Sequence, residues 1–303
     1  MTLETTTYRG RFAPSPSGPL HFGSLVAALG SYLDARHNQG DWLVRMEDLD
    51  PPREKPGAVD DILYTLEAFG FEWDGEVLFQ SQRLNVYQEA LRALEKQRIA
   101  YPCSCSRKDI SQAGLKGLEG PRYPGTCRNG LPVERSGQAV RLRTDDQPIR
   151  FHDFVCGPIE QRLESQIGDF LIRRSDGLFA YQLAVVVDDA YQGISHIVRG
   201  ADLLLSTPRQ IYLQQLMALP TPSYGHLPLV MNAQGRKLSK QDGALPVRKE
   251  APLPALIAAL DFLRQPLPPD PPINLEEFWD WALSHWDIRR LRAESYDNVR
   301  QLG

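Results

Sequence analysis

Three groups of residues in this 303-residue chain are of a type and spacing that could do chemistry. The first runs Arg11-Phe-Ala-Pro-Ser-Pro-Ser-Gly-Pro-Leu-His-Phe-Gly-Ser24. Pro14, Pro16 and Pro19 fix φ and remove backbone donors, so a strand arriving here must stop and turn. Gly18 and Gly23 permit close backbone approach. The free N–H groups and dipole of a following helix would make an anion site, where a ring N–H of His21 could reach a phosphate. The pattern equally fits an ordinary proline-rich turn before a helix, and its spacing matches neither G-x-G-x-x-G nor the P-loop.

The second group is Gly235-Arg-Lys-Leu-Ser-Lys-Gln-Asp-Gly243. Arg236, Lys237 and Lys240 between glycines suit a loop gripping polyphosphate, with a solvated charged turn as the alternative. The third is Cys103, Cys105 and Cys127 in a stretch rich in Gly, Pro and Arg. Three thiolates invite a tetrahedral zinc site, but a fourth ligand must be found. No histidine lies in the segment, and Tyr123 is a candidate oxygen donor. A reduced, partly buried cysteine cluster is the alternative; zinc is preferred, because such a knuckle has little packing logic of its own. Cys156, standing apart, reads as a small buried residue.

These groups need elements to position them. The pattern predicts a buried strand over 8–13, a helix over 20–38, a strand over 42–46 and helices over 57–69 and 83–96. That β-α-β-α unit implies a doubly wound parallel sheet. Glu47, Asp48 and Asp50 follow the second strand, where open α/β sheets bind ligands; Asp50 by itself reads as a solvated helix cap. Alternation over Val140–Arg143 and Ile149–Val155 predicts antiparallel strands inserted between halves of the sheet. The sheet is expected to resume at Asp169–Arg173 and continue through the apolar run Leu183–Val187. Thr207 and Pro208 read as N-cap and first helical position of a helix reaching about Ala218. Arg199 ends an apolar run beside Gly200, a place suited to a carboxylate or phosphate contact.

Composition bounds the rest. Hydrophobic content of 42% and charged content of 24% are ordinary for a globular protein. A net charge of −4 offers no global attraction for nucleic acid, so such binding must rest on local basic patches. Arg107, Lys108, Arg122, Arg128, Arg289, Arg290 and Arg292 are candidates for a phosphate track, with solvated surface as the default for each. The N-terminus has no apolar signal core and no apolar run reaches membrane length, so a cytoplasmic protein is expected. Four cysteines in that setting do not suggest a disulfide framework.

Taken together, these residues carry a resemblance. Arg11 to Gly18 with His21-Phe-Gly-Ser24 resembles the first signature of class I aminoacyl-tRNA synthetases in their glutamyl form. Lys237-Leu-Ser-Lys-Gln241 resembles the second, with Leu238 where methionine is common. Val187-Asp-Asp and His196-Ile-Val-Arg-Gly200 are similar to the segment between them. Within the family the match is to the glutamyl-queuosine tRNA(Asp) branch, essentially the catalytic domain alone. Few residues follow Lys240, and Pro266, Pro268, Pro269, Pro271 and Pro272 punctuate them, leaving little room for an anticodon-binding domain.

The resemblance implies an α/β, Rossmann-like catalytic domain over 1–100 and 165–245. It adds a zinc-bearing insertion over 101–164 and a helical region over 246–303. It implies ATP-dependent activation of L-glutamate, then transfer of glutamate to queuosine in tRNA(Asp). His21, Lys237 and Lys240 would contact the phosphates, with His21, Gly23, Ser24 and Lys240 around ATP. Arg11 and Arg199 would take glutamate's two carboxylates and Glu47 its ammonium. Tyr181 would add a hydrogen bond, and Phe12, Ala13, Pro14 and Ser15 would line the pocket. Cys103, Cys105, Tyr123 and Cys127 would hold one structural Zn²⁺. Mg²⁺ is expected with ATP, without a ligand set legible here, and a monomer is expected. Two rival readings stay open: a minimal glutamyl-tRNA synthetase charging the tRNA 3′ end, and a non-catalytic tRNA-binding paralogue.

Overall fold

The computed structural model describes residues 7–132, 136–232 and 245–291. The chain opens with strand β1 (Arg9–Phe12), then helix α1 (Phe22–His37) and strand β2 (Asp41–Met46). α1 buries Leu25, Val26, Leu29 and Leu33 against the sheet, the face its apolar spacing predicts. Helix α2 (Ala58–Ala68) leads to the short strand β3 (Leu78–Phe79) and helix α3 (Leu84–Lys96). β1, β2 and β3 are parallel neighbours in that order.

The chain then leaves this sheet. Strand β4 (Ala100–Cys103) is followed by helix α4 (Arg107–Gln112) and the two-residue strands β5 (Lys116–Gly117) and β6 (Gly120–Pro121). Strands β7 (Ala139–Leu142), β8 (Pro148–Asp153) and β9 (Gly157–Arg162) come next, then the turn of helix α5 (Leu163–Gln166) and strand β10 (Phe170–Arg173). The expectation that the 140–143 and 149–155 strands are antiparallel holds, but they are not partners. β7 pairs with β4 and β10, and β8 pairs with β9 in a hairpin.

β10 is a strand as expected, yet it does not resume the parallel sheet: it runs antiparallel to β7 at one edge of a second sheet, ordered β10-β7-β4. Nor is the apolar run Leu183–Val187 a strand. It forms the middle of helix α6 (Tyr181–Tyr191), and all five residues are buried. A helix packed on every side loses its 3.6-residue polarity and reads like a buried strand over five residues.

Strand β11 (His196–Gly200) returns the chain beside β1, where the Ser195 N–H donates to Arg9 O at 3.0 Å. Helix α7 (Thr207–Leu216) and strand β12 (Ser223–Leu227) complete the unit, with β12 parallel to β11. The N-cap of α7 is Ser206 rather than Thr207. Thr207 continues helical backbone already set by the 3-10 turn Ala201–Ser206, and its hydroxyl accepts from Arg199 and donates to Leu203 O.

The parallel strands thus lie β3-β2-β1 on one side and β11-β12 on the other. β1 and β11 flank the topological switch point, beyond whose carboxyl ends open sheets bind ligands. Helices α8 (Pro252–Phe262) and α9 (Leu275–His285) close the molecule against α1, sharing one apolar core with β1 and β2. Among the described residues no helix is long and apolar enough to cross a membrane.

Candidate active site and cysteine knuckle

Arg11 on β1, Arg45 on β2 and Arg199 on β11 reach the switch point as deeply buried cations, 4%, 0% and 5% exposed. Their neighbours explain why burial is tolerated. Asp189, on the last turn of α6, accepts from Arg11 Nε at 3.2 Å and from Arg45 Nη2 at 2.8 Å. Arg45 Nη1 donates to Gln192 Oε1 at 2.8 Å. Arg199 donates from Nη2 to Thr207 Oγ1 and Gln210 Oε1, each at 2.8 Å, and from Nε to His226 at 3.1 Å. Among the described residues its Nη1 makes only a long contact, 3.4 Å, with the Tyr181 hydroxyl.

Glu47 sits one residue past β2, its amide bonded to Pro14 O at 3.0 Å, which ties it to the proline turn. Among the described residues its Oε1 is buried without a hydrogen-bond donor, and Arg45 Nη2 stands off at 3.6 Å. Burial pushes its carboxyl up to about 6 against the opposing pull of Arg45, Arg11 and Arg199. Tyr181 lies in the same field: burial first, then Glu47, raise its hydroxyl's pKa, while Arg199 and Arg11 act against them. Arg11, Glu47, Tyr181 and Arg199, distant in sequence, therefore share one electrostatic neighbourhood.

Three guanidiniums facing Glu47 and Asp189 leave one positive charge, which fits a ligand of net charge −1. Arg45 and Asp189 were not picked out by sequence reasoning. The signal for Arg45 was period-2 alternation, which places it on the same face as Glu47. Asp189 was visible only as the second of two adjacent aspartates.

The remaining expected pocket residues divide. Ala13 and Pro14 are half-buried in the turn and Ser15 is exposed. Phe12 stacks on Trp42 in the core with ring centroids 6.2 Å apart. His21 is the N-cap of α1, and its Nδ1 accepts the Ser24 N–H at 3.3 Å, so the neutral ring carries its proton on Nε2. A Cβ on Gly23 would lie 3.2 Å from the His21 ring, so that residue's smallness serves the cap. Lys237, Lys240, Arg236 and Arg292 lie outside the described residues. Their flank is described: Val247 N–H donates to Leu20 O at 3.0 Å and Pro246 bridges His21, so the chain re-enters at the N-terminus of α1. Asp50 does not cap with its side chain; it pairs with Arg53 and Arg174.

In the insertion, the sulfurs of Cys103, Cys105 and Cys127 lie within 4.8 Å of one another, Cys105 and Cys127 at 3.6 Å. Ligands at Zn–S distances in a tetrahedron stand about 3.8 Å apart, so the cluster has the right size for zinc. The Tyr123 oxygen is 3.5 Å from Cys103 Sγ and accepts the Cys127 N–H at 2.8 Å, which aims it at the thiols. Arg141 donates from Nε to Cys103 Sγ at 3.3 Å and lies over the Tyr123 ring at 4.0 Å. A donor set of three sulfurs and an oxygen beside a guanidinium suits a negatively charged metal–thiolate centre. Arg128, a candidate phosphate contact, is instead committed to Asp169 and Glu164. Cys156 is buried, as expected.

A parallel sheet with charged residues gathered beyond the carboxyl ends of its strands defines an α/β protein with a ligand site at the switch point. Residues 7–267 match the family model for the catalytic domain of class I tRNA synthetases (E and Q), and the chain belongs to that family. It is 54% identical over 293 residues to the glutamyl-Q tRNA(Asp) synthetase of Aromatoleum aromaticum, covering 95% of this chain and 93% of that one. To the protein of the same name from Dechloromonas aromatica it is 56% identical over 291 residues, covering 95% and 97%. Among solved structures it resembles the glutamate-tRNA synthetase of Elizabethkingia anophelis, with a TM-score of 0.79 and 25% identity over 97% of this chain and 70% of that one. A glutamate tRNA ligase from Elizabethkingia meningosepticum, solved in complex with its amino acid, gives 0.76 and 26%, over 94% of this chain. The chain spans 65% of that ligase's length.

Proposed function

We propose that this enzyme activates L-glutamate with ATP and transfers it to queuosine in tRNA(Asp), as the name of its relatives describes. The glutamate carboxylate attacks the α-phosphorus of ATP, forming glutamyl-adenylate and releasing pyrophosphate. The acyl group then passes to a hydroxyl on the cyclopentene ring of queuosine. The first step needs little proton chemistry; in-line positioning and charge stabilisation carry it.

The observation that carries the reading is the Glu47 oxygen among three guanidiniums, which has no donor among the described residues. Glutamate bears two carboxylates and one ammonium. The ammonium supplies the donor that Glu47 lacks, and Arg11 and Arg199 each take a carboxylate. A glutamine site would not need the second cation. Tyr181 adds a hydrogen bond, and Ala13 to Ser15 border the substrate. His21 Nε2–H and Lys240, with Lys237 near it, contact the phosphates of ATP, which binds with Mg²⁺. Pro246 and Val247, in the described chain that follows, lie against His21 and Leu20 at the N-terminus of α1. In the insertion, Cys103, Cys105, Tyr123 and Cys127 hold one zinc, whose role is structural because four protein ligands leave no open position.

The decisive experiment supplies enzyme, ATP and labelled glutamate with tRNA(Asp) with or without queuosine. Labelling only of the queuosine-bearing tRNA, on the anticodon fragment after nuclease digestion, is the expected result. Label on the 3′-terminal adenosine would replace this reading with that of a minimal glutamyl-tRNA synthetase. Absence of ATP–pyrophosphate exchange would replace it with a non-catalytic protein. In that exchange, Arg11→Ala is expected to raise the glutamate KM at least tenfold, from the loss of a charged hydrogen bond.

A further inference from the structure

Arg199 is held from behind by a chain of buried polar groups that ends in the inserted hairpin. His226, on β12, is fully buried. Its Nε2 faces Arg199 Nε at 3.1 Å and its Nδ1 faces Asp153 Oδ2 at 2.6 Å. A guanidinium nitrogen only donates, so Nε2 must accept and the ring proton must lie on Nδ1, donated to Asp153. Thr207, 3.2 Å from the same Nε2, gives its hydroxyl proton to Leu203 O instead.

Asp153 is itself fixed. Its Oδ1 accepts the backbone N–H groups of Val155 at 3.0 Å, Cys156 at 2.7 Å and His226 at 3.2 Å. These contacts clamp the tip of the β8–β9 hairpin onto β12, where Phe154 N–H also bonds Tyr224 O at 2.9 Å. The approach is so close that a Cβ on Gly225 would lie 2.1 Å from the Phe154 ring.

With Nε given to His226 and Nη2 to Thr207, Gln210 and more distantly Leu203 O, the Nη1 edge of Arg199 keeps, among the described residues, one long contact, toward Tyr181. We infer that Asp153 and His226 are positioning residues, which hold the Nη1 edge of Arg199 toward the amino-acid pocket by fixing the imidazole as the Nδ1–H tautomer. This rests on the proposal that Arg199 takes a glutamate carboxylate. The imidazole must also stay neutral, since a second ring proton would set N–H against N–H. Burial lowers its pKa, as does Arg199 on β11, against the pull of Asp153 on β8 and of Asp202 after β11. Tyr224, stacked on it, and the Cys156 thiol, 3.6 Å from its carbonyl, complete the titratable surroundings.

Asp153→Asn tests the relay with little change of shape. The amide keeps an oxygen for the three backbone donors but sets an NH₂ opposite Nδ1. That flips the tautomer and turns a ring N–H onto Arg199, as Asp→Asn exchange does in a hydrolase triad. In pyrophosphate exchange the glutamate KM is expected to rise about tenfold, with the ATP KM unchanged. His226→Phe should do the same. His226→Gln should restore glutamate KM to within about threefold of wild type, because an amide again offers an acceptor to Arg199 and a donor to Asp153. Nitrogen NMR of the imidazole should find the proton on Nδ1.

A proton on Nε2, an unchanged glutamate KM in both Asp153→Asn and His226→Phe, or an equal rise in the ATP KM overturns the inference. Arg199→Lys separates the two layers. If it leaves the glutamate KM unchanged, the role of Arg199 fails and the relay with it. If it raises that KM while the Asp153 and His226 variants do not, only the relay fails.

Discussion

Glu47 places a carboxylate where one oxygen has no donor among the described residues, and that single atom makes the pocket's pH response predictable. Its folded pKa of about 6 stands above the ordinary 4.5, mainly because burial penalises the charge. Keeping Glu47 ionised therefore costs stability, and the cost grows as pH rises from about 4.5 to about 6 and is constant above. The ionised form is the one that receives an ammonium. The glutamate KM is thus expected to climb as pH falls through about 6, while Glu47→Gln should show a high KM with that inflection absent. A KM profile flat from pH 5 to 8 in the unaltered enzyme would remove Glu47 from the site.

At the scale of elements, α6 joins two buried networks through adjacent residues. Asp189 faces Arg11 and Arg45 at the site, while Asp188 accepts from Gln80 at 2.8 Å, Arg83 at 2.7 Å and Tyr87 at 2.6 Å. The second set fastens α6 to α3 and to the turn before it, so that Asp189 arrives in register with the strand ends. Asp188→Ala strands buried donors and is expected to cost about 3 kcal/mol in urea unfolding. A change below about 0.5 kcal/mol would mean that solvent replaces the carboxylate. The hairpin makes a comparable demand on β12. Gly225→Ala forces Phe154 away and should lower the unfolding free energy by about 1–3 kcal/mol.

Over the whole molecule, the cysteine knuckle is not an isolated appendage. Arg141 on β7 links Cys103 Sγ to Asp169 O, and Asp169 also collects Tyr101, Arg128 and Thr144. One equivalent of zinc by elemental analysis is therefore expected, lost in Cys127→Ser. Chelation should lower the thermal midpoint by several degrees, as expected when a bound metal contributes to folding. A metal-free protein of unchanged midpoint would refute the structural role. The same insertion sends its hairpin back to β12, so the parallel sheet and the inserted strands meet at His226.

The sequence by itself singled out candidate residues that sit in local patterns: Arg11 and His21 around the proline turn, Glu47 and Arg199 at strand ends, and the three cysteines. Its apolar periods were enough for α2 and α3, each with one buried face, and for α1, which is buried nearly all round from Ala28 to Ala35 but is too long to read as a strand. They failed for α6, buried on every side, and for β10, whose partner is chosen by pairing across the insertion. Only the tertiary structure decided which groups orient the site. Asp189 meets Arg11 from 178 positions away and His226 meets Asp153 from 73. No local pattern records such pairs, because a buried charge selects its partner by proximity in the fold, where desolvation makes an unpaired one too costly.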